Sequence, residues 1–346
     1  MFRSLIQVGI CFTLSLLLAN LLQGCNNGSA GADLEYAAHA VGKNASADTM
    51  PAAKKSADTL SYRQRVRALA NGDRSGRWPV NDPEPLPGAI LPYRRVVAFY
   101  GNFYCKGMGI LGELGEEEVL QRLRRQADAW QQADSTIPVV PAIHYIAVTA
   151  QNSPCDGTYR ARMPEKEICK SIAMAEKIKG LVFLDVQVGQ STLQQELPRL
   201  KPYLQLPQVH LGIDPEFSMK TGKRPGTVIG SYDAADVNYA SGFLADLVKE
   251  YKLPPKILVV HRFTRPMLTN YRHIQLRPEV QIVINMDGFG SPDLKRSSYL
   301  HFVSREPVQF TGFKVFYKND VQYGKRIMQP RDILELQPRP VYIQYQ

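Results

Sequence analysis

Acidic and amide side chains recur in pairs, two residues apart, at the ends of apolar segments of the sequence. The clearest pair is Asp214 and Glu216, which are separated by Pro215 and follow an apolar run. Carboxyl groups that converge in a water-poor site repel one another, so one keeps its proton while another stays charged. Cleavage of a glycosidic bond needs that difference, because it uses a general acid together with a base, nucleophile or stabilising carboxylate. The pair therefore predicts acid/base hydrolysis, and its spacing recurs in Asp185 with Gln187 and in Asn285 with Asp287.

Specific roles follow from this chemistry. We expect Glu216 to donate the proton, Asp214 to be its partner, and Asp185 or Asp287 to act as the base or stabiliser. Five further residues are expected to contact a substrate at the same site: Tyr100, Gln187, His261, Asn285 and Glu113. The alternative for Asp214 and Glu216 is a turn followed by a helix cap, which uses the same residue types.

Metal-dependent hydrolysis is a second enzymatic interpretation. Asp185, Asp214, Asp287 and His261 could form an oxygen-rich site with one imidazole. The sequence has no His-x-His or His-Glu-x-x-His spacing, so we expect neither a metal nor a cofactor. His144 lies within an apolar segment and is interpreted as a core histidine. The Gly-x-Ser-x-Gly pattern of serine hydrolases is also missing from the sequence.

The elements that must position these residues alternate between short apolar and longer amphipathic segments, which is typical of repeated β-α units. Strands are predicted at 96–100, 139–147, 181–186, 209–214, 227–230, 256–261, 280–286 and 313–317, with 341–345 as an extra strand. Helices are predicted at 116–133, 165–179, 192–204, 234–251 and 292–300. Eight strands in roughly 250 residues favour a single-domain (β/α)8 TIM-type barrel, in which the polar strand ends meet at one rim. An open doubly wound sheet is the alternative, but no glycine-rich loop follows the first strand.

Strand alternation predicts which side chains face the barrel interior, because residues two apart share a face. His210, Gly212, Asp214 and Glu216 share one face in this scheme. The intervening residues 209, 211 and 213 are apolar and would pack against the helices.

The N-terminal residues have the pattern of an exported protein. Arg3 precedes an apolar run from Leu5 to Leu22, as in signal peptides. The sequence Leu22-Gln23-Gly24-Cys25 resembles the lipobox of bacterial lipoproteins, which implies cleavage after residue 24 and acylation of Cys25. The acylated cysteine would bind the lipid bilayer, and Asn26 rather than aspartate favours the outer membrane of a Gram-negative cell. A single membrane-spanning anchor is the alternative.

Composition divides the rest of the chain into a tether and a folded domain. Residues 25–92 are rich in small and polar residues and then in proline, so we predict a flexible tether followed by an extended linker. The barrel is expected at 93–346. The formal charge of +10 comes from scattered Lys and Arg residues, a distribution that argues against nucleic acid as a partner.

Three cysteines remain in the predicted domain. Cys105 and Cys155 follow the first two predicted strands, so we expect a disulfide between them. A bridge from Cys155 to Cys169 is the alternative.

Two resemblances bear on function. The Asp-x-Glu ending of the fourth strand resembles the end of the chitinase-type glycosidase motif, but residues 206–212 have no upstream aspartate. Several segments together resemble a family of uncharacterised exported bacterial proteins and lipoproteins: 100–101, 109–113, 139–142, 184–189, 209–216, 229–238, 258–263, 287–290 and 345–346. That resemblance implies a glycosidase-like barrel without an established reaction. The family has His-Pro after Tyr-Gly and a glutamate in the second strand, where this chain has Asn102-Phe103 and His144.

The sequence thus supports two hypotheses from different classes. One is a lipid-anchored hydrolase that acts on a glycan or cell-wall polymer. The other is a non-catalytic lipoprotein that binds a saccharide or another component of the cell envelope with the same residues. Fold alone does not separate them.

Overall fold

The computed structural model describes residues 60–346 and shows a closed barrel of eight parallel strands. In chain order the strands are β1 (Arg95–Gly101), β2 (Val139–Ala150), β3 (Arg160–Arg162), β4 (Leu181–Val186), β5 (Val209–Ile213), β6 (Tyr232–Asp233), β7 (Lys256–Arg262), β8 (Leu268–Thr269), β9 (Val280–Met286), β10 (Phe310–Val315) and β11 (Tyr342–Tyr345). The barrel order is β1-β2-β4-β5-β7-β9-β10-β11, and β11 pairs with β1 to close it. The predicted (β/α)8 TIM-type fold is confirmed.

One helix precedes the barrel, and the others lie between its strands. The helices are α1 (Tyr62–Leu69), α2 (Ile110–Glu113), α3 (Glu116–Ala133), α4 (Glu165–Glu176), α5 (Leu193–Leu204), α6 (Ala234–Tyr251), α7 (Pro292–Tyr299), α8 (Asn319–Gly324) and α9 (Pro330–Leu334). The five predicted helices are all present, with α3 and α6 at their predicted bounds. Their apolar faces were readable because each buries a stripe of residues with a period near 3.6.

Alternation along the strands produces two apolar layers. Residues such as Val97, Leu184 and Leu211 pack in the layer between strands and helices. Residues such as Ala98 and Phe183 pack inside the barrel. Burying each large apolar side chain contributes about 1.5–3 kcal/mol. Because neighbouring residues of a strand serve different layers, the polar residues two apart near the strand ends share the interior face.

The eighth barrel strand is not the one predicted from the sequence. Residues 227–230 form a loop rather than a barrel strand, because Val228 and Ile229 are 42% and 49% exposed and have no buried face. The eighth barrel strand is instead β11, which was predicted as an extra strand and is buried throughout. The prediction for residues 227–230 was therefore wrong.

The segment before the first barrel strand is more ordered than the predicted linker. Helix α1 begins with a capping box formed by Ser61 and Gln64. Its residues Tyr62, Val66 and Leu69 pack against the apolar cluster inside the barrel. The prediction of a tether thus differs from the structure at residues 62–69. Helix α1 has only eight residues, which is too short for its helical periodicity to be recognised in the sequence. The signal peptide, Cys25 and the predicted tether up to residue 59 lie outside the described residues.

A hairpin extends β2 beyond the barrel. β3 pairs antiparallel with the end of β2, and the buried carboxylate of Glu196 holds it through Arg160 (2.8 Å) and Arg162 (2.7 Å). Cys155 lies in the loop of this hairpin, whereas Cys105 lies directly before a 3-10 turn after β1. Within residues 60–346 neither sulfur belongs to a disulfide. Neither the expected Cys105 to Cys155 bridge nor the Cys155 to Cys169 alternative is present among the described residues, and Cys155 lies in the hairpin loop because β2 runs on to Ala150.

None of the helices within residues 60–346 has both the length and the apolar character needed to cross a membrane.

Candidate functional site

Asp185, at the end of β4, is the centre of a polar cluster inside the barrel. Its Oδ2 accepts a hydrogen bond from the Tyr100 hydroxyl at 3.0 Å. Its Oδ1 lies 3.2 Å from Nε2 of His144 and 3.3 Å from Nε2 of His261. These residues come from β1, β2 and β7. Since β4 adjoins neither β1 nor β7 in the sheet, their side chains meet across the barrel interior.

A second carboxylate, Asp287, lies just after β9 and is joined to the cluster. Its Oδ2 lies 2.8 Å from Nδ1 of His261, and its Oδ1 lies 3.0 Å from Nζ of Lys314. The Lys314 ammonium also lies over the Tyr100 ring, 3.7 Å from its centroid. Two carboxylates and at least one cation therefore alternate through the buried cluster, an arrangement that lets each charge stabilise the next.

This alternation separates the pKa values within the cluster. Burial raises the pKa of Asp185, but His261 and His144 more than offset this and hold it far below its usual range. Burial lowers the pKa of His261, yet Asp185 and Asp287 raise it to about 10. Burial lowers the pKa of His144 to about 4, with Asp185 only partly opposing the shift. At neutral pH, in the absence of a bound ion, Asp185 is ionised and His144 is neutral.

The Asp214 and Glu216 pair lies at the next strand end, after β5. Asp214 begins a short 3-10 turn, Pro215–Phe217, and its Oδ1 accepts a hydrogen bond from the Glu216 amide at 3.0 Å. Its Oδ2 accepts a 3.3 Å hydrogen bond from Nε2 of Gln187. The turn-and-cap arrangement considered as the alternative is therefore present, and it places the Glu216 side chain next to Asp214.

Glu216 differs from the other acids because its carboxylate has no partner among residues 60–346. Its side chain is partly exposed, whereas Asp185 is completely buried. Burial of the surrounding region, together with the charges of Asp214 and Asp287, raises the pKa of Glu216 to about 8. Burial likewise raises the pKa of Asp214 to about 7, with His261 opposing and Asp185 adding to the shift. An acid that is protonated at neutral pH and accessible to solvent can donate a proton to a bound molecule.

The backbone of β5 provides space for this cluster. Gly212 lies so close to Asp185 and His144 that a Cβ atom there would overlap Asp185 Oδ1 and lie 2.6 Å from Nε2 of His144. Only glycine leaves room for both side chains at this point of the barrel.

Three aromatic side chains lie beyond the ends of β9 and β10, and one of them, Tyr323, belongs to helix α8. Phe289 follows β9 and stacks on Tyr323 with ring centroids 5.5 Å apart, and Tyr323 is 51% exposed. Phe289 also contacts Phe316 edge to face, 5.7 Å away.

Of the five residues expected to bind substrate, four lie buried in the barrel and one lies outside the polar cluster. Tyr100, Gln187, His261 and Asn285 are all buried, so they hold neighbouring side chains in place. Asn285, for example, donates a 3.3 Å hydrogen bond to Gln344. Glu113 lies in α2 and pairs with Lys318 at 2.6 Å, away from the contacts of the polar cluster.

Four residues of the cluster were not singled out from sequence as site residues: His144, Lys314, Tyr342 and Gln344. His144 was interpreted as a core residue because it lies in mid-strand. Lys314 was missed because the predicted strand began three residues late, which concealed the interior position of a lysine in an apolar run. Tyr342 and Gln344 belong to the strand predicted as an extra.

No protein-family model matches the chain, and no curated protein matches it in sequence.

Proposed function

We propose that this protein is a glycoside-hydrolase-like enzyme that acts on a glycan or cell-wall polymer from a lipid anchor. Glu216 is the proton donor in this proposal, and Asp214 is the partner carboxyl group. Asp287, at the mouth of the barrel, supplies the negative charge that stabilises positive charge developing on the sugar. The proposal agrees with the resemblance to exported bacterial barrel proteins.

The observation that carries the proposal is the state of Glu216. It has no hydrogen-bond or ionic partner among the described residues, it is partly exposed, and the pKa of its carboxyl group is raised to about 8. An acid with only a structural role would be paired with a cation or a backbone amide, as Asp185 is with histidine. An unpaired, protonated acid in a barrel mouth is suited to protonate the oxygen of a leaving group.

Asp185 has a supporting role in this scheme. It is enclosed by Tyr100, His144 and His261 and has no exposed surface. A water or sugar cannot reach it directly, so it acts by fixing the positions and charges of the residues nearer the mouth.

The test is turnover of a panel of glycans and cell-wall polymers by the full chain and by its Glu216→Gln variant. Loss of a general acid lowers the rate by about 10²–10⁴-fold. We expect wild type to cleave at least one polymer, and the variant to lose that activity while still binding the polymer. Glu250→Gln, which changes an exposed acid at the end of α6, is the matched control and should keep wild-type activity.

Two outcomes would contradict the proposal. If the Glu216→Gln variant remains as active as wild type, Glu216 is not the proton donor. If no polymer is cleaved but one binds equally to wild type and variant, the protein is a saccharide-binding lipoprotein instead.

A further inference from the structure

We propose that His144, Asp185 and His261 form a binding site for one divalent transition-metal ion, for which Zn²⁺ is the best chemical match. The inference concerns a bound ion rather than a reaction. It does not rest on the proposed hydrolysis, and metal binding can be measured whether or not a substrate is found.

The distances between the three side chains match a metal site. Asp185 Oδ1 lies 3.2 Å from His144 Nε2 and 3.3 Å from His261 Nε2, and the three ligand atoms all lie within 4.8 Å of one another. Tetrahedral zinc with bonds of about 2.0 Å separates neighbouring ligand atoms by about 3.3 Å. Two of the three separations therefore already have the length that a shared ion would impose.

The same three atoms lack hydrogen bonds. His144 Nε2, Asp185 Oδ1 and His261 Nε2 are fully buried, and although they are close together, none of these contacts has the geometry of a hydrogen bond. The three atoms are in ionic contact, but a buried polar atom without a hydrogen bond costs about 1–3 kcal/mol, so three such atoms converging on one place need an explanation. An ion bonded to all three removes that cost.

Other side chains contact the outer atoms of the ligands, as in known metal sites. Oδ2 of Asp185 accepts a hydrogen bond from Tyr100 at 3.0 Å, which leaves Oδ1 for an ion. The outer nitrogens of the two histidines have these neighbours: the Tyr342 hydroxyl 2.5 Å from Nδ1 of His144, and Asp287 Oδ2 2.8 Å from Nδ1 of His261. Asp185 and His144 are thus oriented by hydrogen bonds through atoms that an ion would not use, whereas Nδ1 of His261 makes only an ionic contact with Asp287.

The donor set determines the class of ion. Two imidazoles and one carboxylate suit Zn²⁺, Co²⁺ or Fe²⁺, whereas Mg²⁺ and Ca²⁺ prefer oxygen ligands only. Asp185 brings one negative charge to the ligand set, whereas the Lys314 ammonium pairs with Asp287 rather than with Asp185. The sequence-based metal interpretation included Asp185 and His261 but not His144, and it was set aside because ligands from β2, β4 and β7 share no local spacing.

The test is metal retention by the full chain. Protein stripped with a chelator is incubated with Zn²⁺ or Co²⁺, desalted, and assayed for bound metal by mass spectrometry, with the visible spectrum of the Co²⁺ form recorded. We expect about one ion per chain, and a visible absorption band typical of Co²⁺ that is bound by imidazole and carboxylate ligands. His144→Asn and Asp185→Asn should each reduce retention at least tenfold. In His144→Asn, the amide can still occupy the position of Nδ1 beside Tyr342.

His210→Asn is the matched control. His210 is also fully buried in the barrel with Nε2 lacking a partner, but its Nδ1 accepts a hydrogen bond from the Ile257 amide and its nearest titratable neighbour is Lys256 rather than a carboxylate. The His210→Asn variant should retain the ion as wild type does. Failure of wild type to retain metal would overturn the inference, as would equal retention by wild type and the His144→Asn variant. If a variant unfolds, the wild-type stoichiometry and Co²⁺ spectrum still decide the question.

Discussion

At the scale of single residues, environment gives chemically similar carboxyl groups opposite states. Asp185 is buried among two histidines and stays ionised, because opposite charges overcome the cost of burial. Glu216 is partly exposed but lies near Asp214 and Asp287, so burial and like charges favour its protonated form. A general acid and a fixed negative charge can thus coexist in one barrel mouth.

The raised pKa of Glu216 predicts a pH-dependent effect on stability. The unfolded chain releases this proton near its usual pKa of 4.5, whereas the folded protein keeps it up to about 8. Folding therefore binds a proton between these values, and the contribution of Glu216 to stability falls as pH rises from about 4.5 to about 8. Relative to wild type, Glu216→Gln should gain about 4 kcal/mol of stability between pH 5 and pH 8.5, because each pKa unit between 4.5 and about 8 is worth about 1.4 kcal/mol. Urea unfolding at both pH values checks this. A difference that does not change with pH would mean that Glu216 titrates normally.

Sequence reasoning found the acids but not their partners. Asp185, Asp214, Glu216 and Asp287 were recognisable because they follow apolar strands. Their ionisation states depend on side chains from distant strands, such as Lys314, and no local pattern in the sequence reveals which strands face each other across a barrel.

At the scale of elements, strand β5 contributes both to the apolar layer under the helices and to the polar cluster inside the barrel. Its alternate residues Leu211 and Ile213 fill the layer under the helices, while Gly212 faces the interior beside Asp185 and His144. The strand then ends in the turn that presents Glu216. A change at Gly212 therefore affects both the fold and the site.

Gly212→Ala is predicted to destabilise the protein. The added Cβ would overlap Asp185 Oδ1 and lie 2.6 Å from His144 Nε2, and both side chains are fully buried. Overpacking of this kind costs about 3 kcal/mol. Chemical unfolding should show that loss, while Gly107→Ala, at an exposed position where the added Cβ meets only Cys105 Sγ at 3.8 Å, should change stability by less than about 0.5 kcal/mol. Equal stability of Gly212→Ala and wild type would show that the cluster can move to admit a methyl group.

Elements with strong periodicity were predicted well, and the exceptions have physical causes. Long amphipathic helices such as α3 and α6 were identified at their observed bounds. Residues 227–230 have the composition of a strand, but nothing covers Val228 and Ile229. Burial by the rest of the molecule, which the local sequence does not show, decided which of two apolar segments closed the barrel.

At the scale of the whole molecule, the barrel has two different ends. The polar cluster and Glu216 lie toward the carboxyl ends of the strands, while residues 60–92 cover the opposite end. There the Tyr62 hydroxyl donates a hydrogen bond to Asp82, and Gln281 accepts bonds from the amides of Ile90 (3.1 Å) and Leu91 (3.0 Å). Expression of the domain should therefore include residue 60 onward rather than start at residue 93.

Lipid anchoring is a further prediction at this scale. The lipobox-like sequence before Cys25 predicts that the mature chain carries acyl groups on that cysteine. In a bacterial host supplied with labelled palmitate, the full chain should be labelled and fractionate with membranes. The Cys25→Ser variant should lose the label and leave the membrane fraction. An unlabelled wild type that stays in the membrane together with the variant would favour a spanning anchor instead.

The role of Glu216 as proton donor is tested most directly by comparing leaving groups. An acidic leaving group such as dinitrophenol departs without protonation, whereas a sugar hydroxyl needs a proton from the enzyme. For the Glu216→Gln variant we predict at least a 100-fold loss on the natural glycan but less than about a 10-fold loss on the matching dinitrophenyl glycoside. Equal losses on both substrates, or no loss on either, would contradict the assignment of Glu216 as the general acid.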